Sequence, residues 1–195
     1  MTRNIIILAV FLLISLMSFS QSNEKNNNLS LELNAGKIFS PYRFYKNHTG
    51  YENIALGVSK NITEKTGVLL SQSYGRIFNE TTNNRTLVMT TTVNPYLNFF
   101  TDKKLNLRIA VGTGLLYLYT KCLYDIYPIS EHIYGMPLKL NLAVFYNFND
   151  KLALNINLDT HYSFLFYENN QLIINDPYYY KTFFNSANIG VSWSF

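Results

Sequence analysis

From Leu29 onward, apolar and polar side chains alternate with a period of two in segment after segment, and helical spacing is absent. Period two marks strands whose two faces meet different surroundings. The clearest run puts Leu105, Leu107, Ile109, Val111, Leu115, Tyr117 and Tyr119 on one face and Asn106, Arg108, Ala110, Gly112 and Gly114 on the other. A second sets Leu138, Leu140, Leu142, Val144, Tyr146 and Phe148 against Lys139, Asn141, Ala143 and Asn147. A third sets Leu154, Ile156 and Leu158 against Asn155, Asn157, Asp159 and His161. The pattern predicts eight strands, roughly 29–38, 51–60, 66–78, 86–100, 104–119, 135–149, 151–166 and 183–195.

Eight is an even number, and a closed antiparallel barrel in lipid leaves no strand edge without hydrogen-bond partners. The connections alternate as such a barrel requires. Those at 61–65, 101–103 and 149–150 are short, whereas 40–50, 79–85, 120–134 and 167–182 are longer and rich in Asn and Tyr. The expected fold is therefore all-β, an eight-stranded antiparallel up-and-down transmembrane β-barrel. The short turns and both chain ends should face the periplasm. Tyr and Phe gather near strand ends, at Tyr42, Phe44, Tyr45, Tyr117, Tyr119, Phe164, Phe166, Tyr167, Tyr178 to Tyr180, Phe183 and Phe184, where aromatic girdles would meet lipid headgroups. A soluble eight-stranded ligand-binding barrel would turn its apolar face inward. Here the second face carries Gly, Asn, Ser, Ala and occasional charges, which suit a packed lumen and not an apolar ligand cavity.

The N-terminus reads differently. Arg3 precedes an unbroken apolar run from Ile5 to Ile14, with Leu16, Met17 and Phe19 beyond it and small Ser18 and Ser20 before polar Gln21. That is the layout of a secretory signal peptide, residues 1–20, cleaved after Ser20. The run is shorter than the ~20 residues of a spanning helix. Residues 21–28 then form a short polar segment and 29–195 the barrel. No cysteine follows the apolar run, so the lipoprotein route is closed.

Composition adds three points. Tyr and Phe number 16 and 14, which is aromatic-rich for a chain with 14% charged residues. The single Cys122 excludes an intramolecular disulfide and a multi-cysteine metal site. The net charge of +4 is spread along the chain without a Lys/Arg block, which gives no reason to expect nucleic acid as a partner. His48 and His132, in different long connections with no cysteine near, make a poor metal site, so neither a metal nor another cofactor is expected.

The last segment alternates Ile189, Val191 and Trp193 and finishes on Phe195. In this, and in the architecture of 29–195, the chain resembles the small bacterial outer-membrane barrels that include the OmpA transmembrane domain and OmpX-like proteins. The resemblance implies residence in the outer membrane among its lipid and lipopolysaccharide. It also implies that Ile189, Val191, Trp193 and Phe195 are an assembly signal read by the barrel-assembly machinery. It leaves open an extracellular ligand taken by the long loops.

An eight-stranded barrel is just wide enough for its own side chains, so no open pore is expected. Parity sends Glu32 and Arg108 inward from opposite sides of the barrel, where an ion pair would plug the lumen. It places Lys139 beside Asp159 and His161, since buried charges must be paired. These five residues form the expected lumen charge cluster. One catalytic alternative stands beside it. His161 and Ser163 share a strand face, and the pair resembles the His-x-Ser of PagL-type lipid A deacylases, which implies an esterase with His161 as base and Ser163 as nucleophile. The sequence departs from that pattern at Phe164, where the family carries Asn, and in having no carboxylate on the last strand. The sequence thus reads as a non-enzymatic barrel with a structural or surface-contact role, with lipid A deacylation and transport of small apolar molecules as alternatives.

Overall fold

A computed structural model describes residues 29–39, 48–79, 85–101, 104–123, 128–168 and 181–195. The segments 1–20 and 21–28, and with them the expected signal peptide, lie outside the described residues. Eight strands follow in order: β1 (Leu29–Phe39), β2 (His48–Asn61), β3 (Thr66–Asn79), β4 (Arg85–Phe99), β5 (Leu105–Leu123), β6 (Pro128–Asn147), β7 (Leu152–Glu168) and β8 (Lys181–Ser194). Each pairs antiparallel with its sequence neighbours, and β1 pairs with β8, running from Ser30 opposite Ser194 to Phe39 opposite Asn185. The sheet is thus a closed eight-stranded barrel without an edge.

The faces divide as the alternation requires. Leu115 is 69% exposed, Val111 57% and Ile156 55%, while Thr92, Asn94 and Ser163 are 0% exposed. Large apolar side chains outside and polar ones inside are the inverse of a soluble barrel, and match a wall set in hydrocarbon. Short turns close one end by local chemistry. The Thr63 hydroxyl accepts from the backbone N–H of Lys65 and Thr66, and Asn149 Oδ1 accepts from Lys151 and Leu152, as Ser/Thr and Asx turns do. Phe100 takes a positive φ of 62° in the turn after β4. Pro95 and Pro137 cannot donate to the ladder, and the pairing of β5 with β4 skips Pro95 while its pairing with β6 skips Pro137.

Two expectations about the other end are corrected. The span 120–134 is not a long loop: β5 and β6 stay paired up to Leu123 opposite Pro128, leaving only 124–127 between them. Likewise β3 runs to Asn79 and β4 starts at Arg85, and His48 already belongs to β2. Backbone pairing continues after the surroundings of the two faces cease to differ, so the period-two signal stops before the strand does.

Gly112 and Gly114 lie where β4 crosses close to β5. A Cβ on Gly114 would sit 1.9 Å from the Thr91 carbonyl oxygen, and one on Gly112 2.2 Å from that of Val93. Only glycine permits this approach of the two backbones.

Candidate functional site in the barrel lumen

The lumen is filled in three tiers. At the end with the short turns, Arg108 from β5 reaches across to Glu32 on β1, with Nη2 donating to Oε2 at 2.8 Å and Nη1 donating to Oε1. Such a two-pronged pair matches the guanidinium fork to the carboxylate. Ser59 Oγ donates to Oε1 as well, at 3.1 Å. The guanidinium lies between two aromatic rings, 5.3 Å from the centre of Tyr96 and 4.8 Å from that of Phe145. Tyr96 is itself fixed by donating to Asn61 Oδ1 at 2.6 Å. Both charges are almost fully buried, so the pairing offsets a desolvation cost that either group alone could not bear.

The middle tier is a polar network. Lys139 Nζ stands 3.2 Å from Asp159 Oδ1 and donates across the barrel to Ser71 Oγ at 3.3 Å. Asn141 donates to the same carboxylate at 2.8 Å, and Ser186 and Asn188 approach its second oxygen at 3.4 Å. Hydroxyl pairs Ser71–Thr92 and Ser73–Thr90 line the facing wall, with Asn94 bonded into them. Asn53 donates to Asn188, and Asn157 to Asn34. These last two bonds each skip a strand, which such short side chains can do only because the barrel is narrow.

The third tier is apolar. Ile38, Ile77, Val88, Leu116, Leu118, Leu165 and Phe184 form one buried cluster at the end away from the short turns. This corrects the expectation of a lumen lined only by small and polar residues. It also corrects the placing of Phe184 in a lipid-facing girdle: its ring faces inward and stacks on His161 at 4.4 Å and 11°. Tyr42, Phe44, Tyr45 and Tyr178 to Tyr180 lie outside the described residues.

His161 sits where the polar and apolar tiers meet, directly opposite Lys139. Ser163 is next along the same face, and its Oγ and His161 Nδ1 are both buried without a hydrogen-bond partner. The hydroxyl is therefore not bonded to the imidazole, as a nucleophile activated by a general base would be. Among the described residues no group of three or more His, Cys, Asp or Glu could hold a metal ion. His132, expected in a loop, is on β6, and its Nδ1 shares a hydrogen bond of 2.7 Å with Tyr117 Oη. On β8, Ile189, Val191 and Trp193 project outward, and Trp193 and Phe195 stack with ring centres 6.3 Å apart.

The sequence reading did not single out Tyr96, Phe145, Asn94, Asn188 or Leu116. Parity carried a signal for Tyr96, which lies between outward Pro95 and Leu97, and for Phe145, which lies between Val144 and Tyr146. In both, the inward face of the strand is otherwise small or polar, so the alternation alone points the ring into the lumen.

An outward apolar wall around a lumen filled by its own side chains is a fold the chain shares with small eight-stranded outer-membrane barrels of known structure. Among solved structures, the chain is similar to the attachment invasion locus protein Ail of Yersinia pestis, with a TM-score of 0.55 and 13% identity over 88% of this chain and 100% of that one. It is similar to Neisserial surface protein A, with a TM-score of 0.51 and 11% identity over 88% and 98% of the two chains. The N-terminal β-barrel domain of Pseudomonas aeruginosa OprF gives a TM-score of 0.50 and 15% identity over 87% and 98%. No family model matches the chain, and no curated protein matches it by sequence.

Proposed function

We propose that this chain is a non-enzymatic outer-membrane barrel, a closed scaffold that contributes to envelope integrity or surface contact through the connections at 40–47, 80–84, 124–127 and 169–180. The observation that carries the reading is the pairing of a lipid-compatible outer wall with a lumen occupied from end to end, by a paired Glu32–Arg108 plug, a bonded polar tier and an apolar cluster. Such a lumen gives neither solute nor substrate a path, and leaves recognition to the outer surface, above all to the segments beyond the strands. In this reading both chain ends are periplasmic, outer-membrane lipid and lipopolysaccharide surround the wall, and the barrel-assembly machinery reads Ile189, Val191, Trp193 and Phe195.

Expression in a Gram-negative host tests this directly. The protein is expected in the outer-membrane fraction, with external protease cutting within 40–47 or 169–180 and sparing 62–65 and 148–151. Purified barrel should show no steady conductance in planar bilayers, and lipid A from expressing cells should keep all its acyl chains. Sustained conductance would point to transport. Loss of an acyl chain that Ser163→Ala abolishes would make the protein an esterase.

A further inference from the structure

The strand register aligns outward side chains into rows running around the barrel. Tyr74, Met89, Tyr117 and Tyr134 stand opposite one another in sequence across β3, β4, β5 and β6. One step farther from the short turns, Arg76, Leu87, Tyr119 and His132 form a second row on the same four strands. Arg85 lies one further step along β4, outward and exposed like Arg76. Below both rows the wall carries exposed Leu115, Val93 and Val111, with Gln72, Thr91 and Thr113 among them. Away from the short turns the wall thus passes from mainly apolar to aromatic to cationic, which is the order of acyl chain, interface and headgroup in a lipid leaflet.

The rows are built as a surface. Tyr117 and His132 share their hydrogen bond, the Tyr119 ring lies 5.0 Å from that of His132, and the Tyr134 ring 5.2 Å from that of Tyr117. Arg76 Nε and Nη2 lie 3.4 Å from Tyr74 Oη, with the guanidinium 5.8 Å from that ring's centre, which turns the cation along the wall. Glu52, exposed on β2, adjoins Arg76 but also stands opposite Lys37 in register. Lys37, Arg76 and Arg85 together outweigh Glu52, so these four exposed side chains carry an excess of two positive charges.

We infer that the outer wall of β3 to β6 binds the headgroup of a phosphorylated glycolipid, with Arg76 and Arg85 holding phosphate and the Tyr119–His132–Tyr117 platform packing against sugar rings. The inference rests on the outer-membrane reading. Guanidinium forks suit phosphate oxygens, and aromatic rings with hydroxyl and imidazole edges suit a pyranose, which offers C–H faces and hydroxyl rims. From Arg76 to His132 the site spans three strand spacings of about 4.8 Å each. That width fits a disaccharide headgroup better than a lone phosphate, and the lipid's chains would lie on the apolar wall below.

Native mass spectrometry of the refolded full barrel, given equal amounts of lipid A and phosphatidylglycerol, is the test. The barrel is expected to retain lipid A in preference. Arg76→Gln with Arg85→Gln should lower its retention on the order of tenfold, as removal of two interfacial cations predicts. Tyr119→Leu with His132→Leu should keep the apolar area and lose the preference over phosphatidylglycerol. Lys104→Gln with Lys151→Gln, at the short-turn end, should change nothing. Equal retention of both lipids, or a preference that survives both double variants, overturns the inference. Failure of the outer-membrane reading shows separately, as protein recovered in the soluble fraction.

Discussion

The two ends of the lumen solve one packing problem by opposite means. At the short-turn end, Arg108 and Glu32 fill the space as a desolvated ion pair between two rings. At the other end, Ile38, Ile77, Leu116 and Phe184 fill it as an ordinary apolar core. The residues of both are buried from the outside, so the lumen of a narrow barrel is an interior in its own right. Polarity there reflects which groups can satisfy one another, and not contact with water.

The largest expected difference between the ends follows from the ion pair. Arg108→Ala leaves Glu32 buried and unpaired and should cost about 3–5 kcal/mol, read as a lowered urea midpoint for barrel folded in lipid vesicles. Pairing Glu32→Gln with Arg108→Met should recover much of that loss, because the penalty belongs to the uncompensated charge. Additive losses in the double variant would mean that each side chain acts alone, and would erase the contrast between the tiers.

In the apolar tier, Leu116→Ala should cost about 2–4 kcal/mol by cavity formation, with no rescue from any charge change. A loss below about 0.5 kcal/mol in the same titration would show a loosely packed tier, since tightly packed cores lose more than that. The smallest effect belongs to the boundary. Ser163 Oγ is buried without a partner, so Ser163→Ala should be neutral or stabilising by up to about 1 kcal/mol. A clear destabilisation would reveal that the hydroxyl makes a bond in the folded barrel.

How far the sequence could be read also differs between the ends. Arg108, Lys139 and Asn155 each sit between outward apolar residues, and Asp159 follows outward Leu158 in the same alternation, so parity assigns them to the lumen, and the structure places them there. Leu116 and Leu118 were harder, because outward Leu115, Tyr117 and Tyr119 flank them and both faces read as apolar. Phe184 follows Phe183, with the same ambiguity, and its inward ring is evident only from pairing with His161. The continuation of β5 to Leu123 and β6 from Pro128 was hidden for a related reason. Hydrogen bonding between strands is written in the backbone, whereas the alternation that reveals it needs two unlike surroundings.

Finally, the pairing of β1 with β8 bears on when the molecule can form. The strand made first finds its second neighbour only when the strand made last has left the ribosome, about 150 residues later. Until then both edges of the growing sheet stay open, ready to pair with any other chain. Nascent barrel therefore gains nothing by folding early. Its closure is a single late event in which the two ends of the sheet meet.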